Sequence, residues 1–162
     1  MSRALVLVLA VPLLLAGCAG GPRIDPAFIG RTEAVCRDFN TAWVHLTGGS
    51  PPYAGFDPQH PDPARLRSLG AYFTKGLPAR RALPGELDAL GEPATGRSLW
   101  DGLRDRGKRL NQVAIEQAAA AVSGNATAFT ATANTIHQLS AKLHDDGQKA
   151  GFGDHSPCDE TF

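Results

Sequence analysis

From residue 28 to residue 143, apolar positions recur at steps of three, four and seven, and strong breakers divide them into four segments. Asp25-Pro26 is a helix start, with a side-chain acceptor ahead of a proline at the first helical position. Phe28, Val35, Phe39, Ala42, Trp43 and Leu46 then form one stripe, with Cys36 beside Val35, and Gly48-Gly49 ends it. Pro51, Pro52, Pro58 and Pro61 make residues 50–61 a loop. Asp62-Pro63 repeats the start signal and leads into Leu66, Leu69, Phe73 and Leu77. Pro78 and Pro84 confine this second helix to residues 64–76, and Pro84-Gly85 opens at most a short turn over residues 86–90. The third segment runs from near Pro93 to Val122. Its stripe is Leu99, Leu103, Leu110, Val113, Ala114, Ala118 and Ala121, with Gly107 in the gap and Gln117 at the edge. After the Gly124 break, Asn125 caps a fourth helix with Phe129, Ala133, Ile136, Leu139, Ser140 and Leu143 on one face. No stretch alternates with period two between turn residues. The pattern predicts an all-α fold over residues 25–162, an antiparallel four-helix bundle with a Pro-rich loop between helices 1 and 2. Gly70, Gly102 and Gly107 each cost a helix interior about 1 kcal/mol relative to Ala. They either permit close helix approach or are tolerated because the core and a cross-link compensate.

The first seventeen residues follow a different rule. Arg3 is their one charge, followed by an uncharged, nearly all apolar run from Ala4 to Gly17, the layout of a secretory signal. The run is shorter than the roughly 20 apolar residues that span a bilayer, and Pro12 interrupts it. It ends in Leu15-Ala16-Gly17-Cys18, which resembles the lipobox of bacterial lipoproteins at all four positions. That resemblance implies a diacylglyceryl thioether on Cys18 and cleavage on its N-terminal side. The mature chain is then 145 residues with one excess negative charge, since the leader takes Arg3 with it. Residues 18–24 form a tether. Its six residues from Cys18 to Arg23, at about 3.3–3.6 Å each, reach at most roughly 20 Å. Two or three acyl chains anchor stably where one is marginal.

Export sets the cysteine chemistry. With Cys18 lipidated, Cys36 and Cys158 remain, and outside the reducing cytosol they are expected to pair. The alternative is two separate buried thiols. Cys36 has no Cys or His at zinc-ligand spacing, and His155 before Cys158 does not make a site by itself.

Composition narrows the function classes. The chain of 162 residues carries 16 Lys+Arg against 16 Asp+Glu, so it has no basic excess for nucleic acid. No mature Glu has His three positions on, as a di-iron bundle needs, and no Cys-x-x-Cys-His attaches haem. Gly-x-Ser-x-Gly and the phosphate-binding Gly-x-x-x-x-Gly-Lys-Ser/Thr are both missing. Asp101 and Asp105 have arginines as helix neighbours, which keep such carboxylates ionised. His137 and His144 share a face of helix 4 and, with His45 of helix 1, are weak candidates for a metal. The expectation is surface histidines, no cofactor and no enzyme. Tyr53 and Phe56 stand on the Pro-rich loop, either as a contact site or folded back over the bundle end.

The lipobox, Cys36 early in helix 1, the Ala-rich third helix ending in Ser123-Gly124-Asn125-Ala126, and Gly151-Phe152 before Cys158 resemble a loose group of small actinobacterial lipoproteins, although the Pro-rich loop is longer here. The resemblance implies architecture and location, not activity. The expectation is a membrane-anchored extracytoplasmic module that binds an envelope protein, lipid or glycan. The alternative is a small-ligand or metal binder, which a cavity lined by Gly107, Ala114, Ala118, Ala121 and Ala133 would favour.

Overall fold

The computed structural model describes residues 23–49 and 56–161, so the lipobox, Cys18 and Tyr53 lie outside the described residues. Four long helices, α1 (Pro26–Thr47), α2 (Pro63–Ala89), α3 (Arg97–Ser123) and α4 (Ala126–Ala150), are followed by a single turn, α5 (Pro157–Thr161). No strand occurs among the described residues. The chain is a helical bundle, as the periodicity predicted. Its extensive pairings run in series, α1 on α2, α2 on α3 and α3 on α4, while α5 packs on α1. The fourth side is thus shared with the C-terminal segment. Burial on α4 falls accordingly: Phe129 and Ala150 are buried, whereas Ile136, Leu139 and Leu143 are half-exposed.

The start of α1 is locked as its sequence suggests. Asp25 accepts from the Phe28 amide at 2.8 Å, and its other oxygen accepts from the Ala94 amide at 2.9 Å. These hydrogen bonds hold its carboxyl below the usual range. Ile24 donates to the Ala150 carbonyl at 3.0 Å, and Thr95 donates to the Arg23 carbonyl at 3.0 Å. Gly96, at φ 74°, admits this segment; a Cβ there would stand 2.7 Å from the Ile24 nitrogen. Arg23 is thereby fixed at the end of the bundle where α3 begins and α4 stops.

Helix 2 departs from expectation. It does not stop at residue 76 but continues through Pro78 and Pro84 to Ala89, absorbing the separate turn expected at 86–90. A proline at 84 removes the amide that would bond the Arg80 carbonyl. Buried Asn111 of α3 supplies the missing donor, its Nδ2 lying 2.9 Å from that carbonyl. Replacing Asn111 by Leu is expected to destabilise by about 1 kcal/mol, because the carbonyl loses its partner. Adding Pro84→Ala should recover that loss by returning an amide. Urea unfolding of the two single variants and the double checks the coupling, and simple additivity would refute it.

Two core clusters result. One gathers Ile24, Phe28, Phe39, Leu83, Leu87, Trp100, Leu103 and Ala150, the other Leu66, Leu69, Phe73, Ala118, Ala121 and Phe129. Trp43 packs against both, and its Nε1 donates to the Tyr72 hydroxyl at 3.1 Å. On α3, Leu103, Leu110, Val113, Ala118 and Ala121 are buried as expected, with Gly107 among them, and the stripe departs from expectation at Ala114, which is half-buried, and at its start. Trp100 is buried and Leu99 half-buried. Leu46 of α1, expected inside, is exposed. Phe56 meets Phe129 edge to face with centroids 5.5 Å apart, and Thr130 donates to the Pro58 carbonyl at 2.8 Å. Phe56 is thus folded back onto the second core cluster and partly buried there.

Candidate functional site

Between α3, α4 and the returning C-terminal segment lies a pocket of about 340 Å³, with Thr32 of α1 and Leu87 of α2 completing its wall. Its construction follows from three local features. Gly107 lacks a side chain between Leu103 and Leu110 on the buried face of α3, which leaves a notch. Gly151, at φ 109°, ends α4 in a left-handed turn in which Phe152 N–H bonds the Gly147 carbonyl at 3.0 Å. The chain then doubles back, so Phe152, Gly153, Ser156, Cys158 and Asp159 face α3 and α4 across the pocket.

The returning segment is pinned. Cys36 and Cys158 form a disulfide with Cα atoms 5.0 Å apart, the pairing expected from the cysteine count. Asn40 adds a hydrogen bond to the Pro157 carbonyl at 3.0 Å. His144 Nδ1 meets Asp159 Oδ1 at 3.1 Å, tying α4 to α5.

The lining is mainly apolar: Leu87, Leu103, Leu143, Phe152 and the Trp100 ring. Trp100 is 2 % exposed and stacks edge to face on Phe28 at 4.8 Å. Its Nε1 has no hydrogen-bond partner among the described residues, and neither has the buried Nε of Arg104, one turn on. The Arg104 guanidinium is otherwise committed, with Nη2 2.9 Å from Asp101 and Nε 3.9 Å from Asp88. That second separation suits attraction between charges but exceeds a hydrogen bond.

His137 and His144 both line this pocket, whereas His45 is exposed on the far part of α1 and is not brought to them. The Gln148 amide nitrogen is 2.9 Å from His144 Nε2 and also donates to Asp154 at 3.0 Å. With Gln148 donating to Nε2, the ring hydrogen sits on Nδ1 and points at Asp159. Both nitrogens of His144 are thus engaged by protein. Among the described residues no group of three or more His, Cys, Asp or Glu is placed to hold a metal ion. Ser140 lines the pocket one turn before His144, but it is Gln148 that occupies the Nε2 a nucleophile would need.

The cavity is not the one the small residues foretold. Of Gly107, Ala114, Ala118, Ala121 and Ala133, Gly107 alone lines it, and Ala118 and Ala121 are packed in the second core cluster. Trp100 and Asn111 escaped the sequence reading. The spacing of Trp100 to Leu103 and Gly107, three and seven residues, was the available signal for the first. The chain matches no family model, no curated protein and no solved structure.

Proposed function

We propose that this protein is a lipid-anchored module on the extracytoplasmic side of the cell membrane, a binding or structural part of the envelope that performs no catalysis. The Cys36–Cys158 disulfide carries the reading. The chain has three cysteines, one in a lipobox, and the other two are joined as an oxidising compartment allows. No described helix is long and apolar enough to cross a membrane, so the anchor in this reading is the lipid on Cys18. The partner is an envelope protein, lipid or glycan; the balanced charge gives nucleic acid no foothold. In cells fed an alkyne fatty acid, the wild-type chain should take up label and lose residues 1–17. The Cys18→Ala chain should remain uncleaved and unlabelled. Label retained by that variant would refute the assignment.

The pocket supports a second reading, a binder of a small ligand. Its volume of about 340 Å³ falls in the range of ordinary ligand sites. Native mass spectrometry of the full chain extracted from its own host should then show a stoichiometric adduct. Bare protein would count against it.

A further inference from the structure

The chain is balanced in charge, but α2 is not. Between Asp62 and Glu86 the sequence carries Arg65, Arg67, Lys75, Arg80 and Arg81, with no Asp or Glu. Arg80 is turned inward, over the rings of Phe39 and Trp43. Arg67, Lys75 and Arg81 are exposed, and no ion pair among the described residues engages them. The cations of α3 differ, for Arg104, Arg106, Lys108 and Arg109 each meet a carboxylate. We propose that the outer face of α2 rests on the anionic phospholipid headgroups of the membrane that holds the anchor, an inference that rests on the lipid-anchored reading above.

The shape of the face suits a charged surface. From Arg67 to Arg81 the helix rises about 21 Å. Ala64, Ser68, Ala71, Thr74, Pro78 and Ala82 are exposed between and beside the cations, and all are short. The charged heads therefore stand clear, and a flat array of headgroups can approach them. Among the described residues of α2, none that is exposed is aromatic or large and aliphatic, so the face lacks the anchors that dominate protein interfaces. Its attraction is to charge.

The tether permits the contact. Arg23 is fixed near the end of α2, since Asp25 accepts from the Ala94 amide, and α1 packs directly on α2. With α2 on the bilayer, the start of α1 stands at most about one and a half helix diameters above it, roughly 15–18 Å. The six residues from Cys18 to Arg23 span up to roughly 20 Å. A lipid anchor joined to a basic patch is a two-part membrane signal. Each cation at an anionic surface contributes about fivefold, so three contribute on the order of a hundredfold, and salt should erase the gain.

The test uses the full chain, purified from its own host and reconstituted in phosphatidylcholine vesicles with and without phosphatidylglycerol. Ala71→Cys places a thiol between Arg67 and Lys75, and Gln138→Cys places one on the exposed side of α4, which has no extensive pairing with α2. The native pair is already joined, so a soluble maleimide reads each new thiol on its own peptide. Phosphatidylglycerol should slow modification at position 71 at least tenfold and at position 138 less than twofold, and 0.5 M salt should restore the rate. Exchanging Arg67, Lys75 and Arg81 together for Gln should abolish the protection with an unchanged unfolding midpoint. The same charge removed by Arg37→Gln, Arg97→Gln and Lys142→Gln should leave it within twofold. Equal rates at position 71 in the two vesicles, equal protection at both positions, or protection that survives the α2 triple variant overturns the proposal. Equal protection by a soluble poly(glycerol phosphate) in neutral vesicles overturns the membrane as the occupant. The intact mass separates the two readings. A lipidated chain unprotected at position 71 defeats this inference alone. A chain without lipid at Cys18 defeats the anchor; sedimentation with anionic but not neutral vesicles then supports the face, and sedimentation with neither overturns it.

Discussion

Replacing Cys36 or Cys158 is expected to lower the unfolding midpoint sharply. The bond joins residues 122 positions apart and closes most of the folded chain into one loop. Chain-entropy arithmetic for a loop of that length gives about 4.9 kcal/mol, reduced in practice by residual structure in the unfolded chain. That is a large share of the roughly 5–15 kcal/mol that holds a domain of this size. Cys36 is fully buried, so Ala is the cleaner replacement there; Ser would add a buried hydroxyl. Cys158→Ser, Cys36→Ala and the double variant should unfold at nearly the same temperature, since all three break one bond. Wild type treated with dithiothreitol should join them. The Asn40 bond to Pro157 and the His144–Asp159 contact are too weak to hold the tail against its entropy once the covalent link is gone. The reduced protein should therefore also lose the wall made by residues 152–159, and any pocket ligand with it. Differential scanning calorimetry with and without reductant reads the first effect, and peptide mapping of protein from its own host reads the bond. Free thiols at both positions, or variants as stable as wild type, would refute the prediction.

The sequence exposed those parts of the fold that local chemistry decides. Asp25-Pro26 and Asp62-Pro63 start helices as N-caps should, and Gly124-Asn125 separates α3 from α4. The disulfide was legible by counting, because reading Cys18 as part of a lipobox left two cysteines, and those two are joined. What failed was whatever a distant segment decides. Pro84 read as a stop because the partner of the Arg80 carbonyl, Asn111, stands 31 residues away. The first position of the α3 stripe was misassigned because Leu99 and Trp100 are both apolar, and only packing on Phe28 favours the second. Phe56 was ambiguous until Phe129 was placed beside it. The pocket was hidden most completely. Its walls come from every long helix and from a tail whose return depends on one left-handed glycine and one disulfide. The alanine pattern pointed instead to a face of which Ala118 and Ala121 are packed into the second core cluster.

The glycines of the helices divide by the same logic, and Gly70 and Gly102 should respond in opposite directions. Both sit inside helices, where exchange for Ala gains about 1 kcal/mol if nothing else changes. At Gly102 nothing else changes, for the residue is exposed and a Cβ would find no atom within 4 Å. Gly102→Ala should therefore raise the unfolding midpoint by a few degrees. At Gly70 a Cβ would lie 2.7 Å from the Val122 nitrogen and 2.9 Å from the Ala121 carbonyl carbon. Both atoms belong to the α3 backbone, which has no rotamer with which to move aside. The two helices would have to separate, and Leu66, Leu69 and Phe73 would loosen from Ala118 and Ala121 as they did. Overpacking of this kind costs typically about 1–3 kcal/mol, so Gly70→Ala should lose all of its propensity gain and become net destabilising. Gly70→Leu, with four heavy atoms to place in the same gap, should cost more than 3 kcal/mol, beyond the usual range for overpacking. Gly76 belongs with Gly70, since a Cβ there would fall 2.2 Å from the Trp43 ring, itself held by Tyr72. Urea unfolding of Gly102→Ala, Gly70→Ala and Gly70→Leu orders the three. A Gly70→Leu protein as stable as wild type would show that α2 and α3 do not approach so closely, and that Gly70 is a tolerated weakness and not a contact.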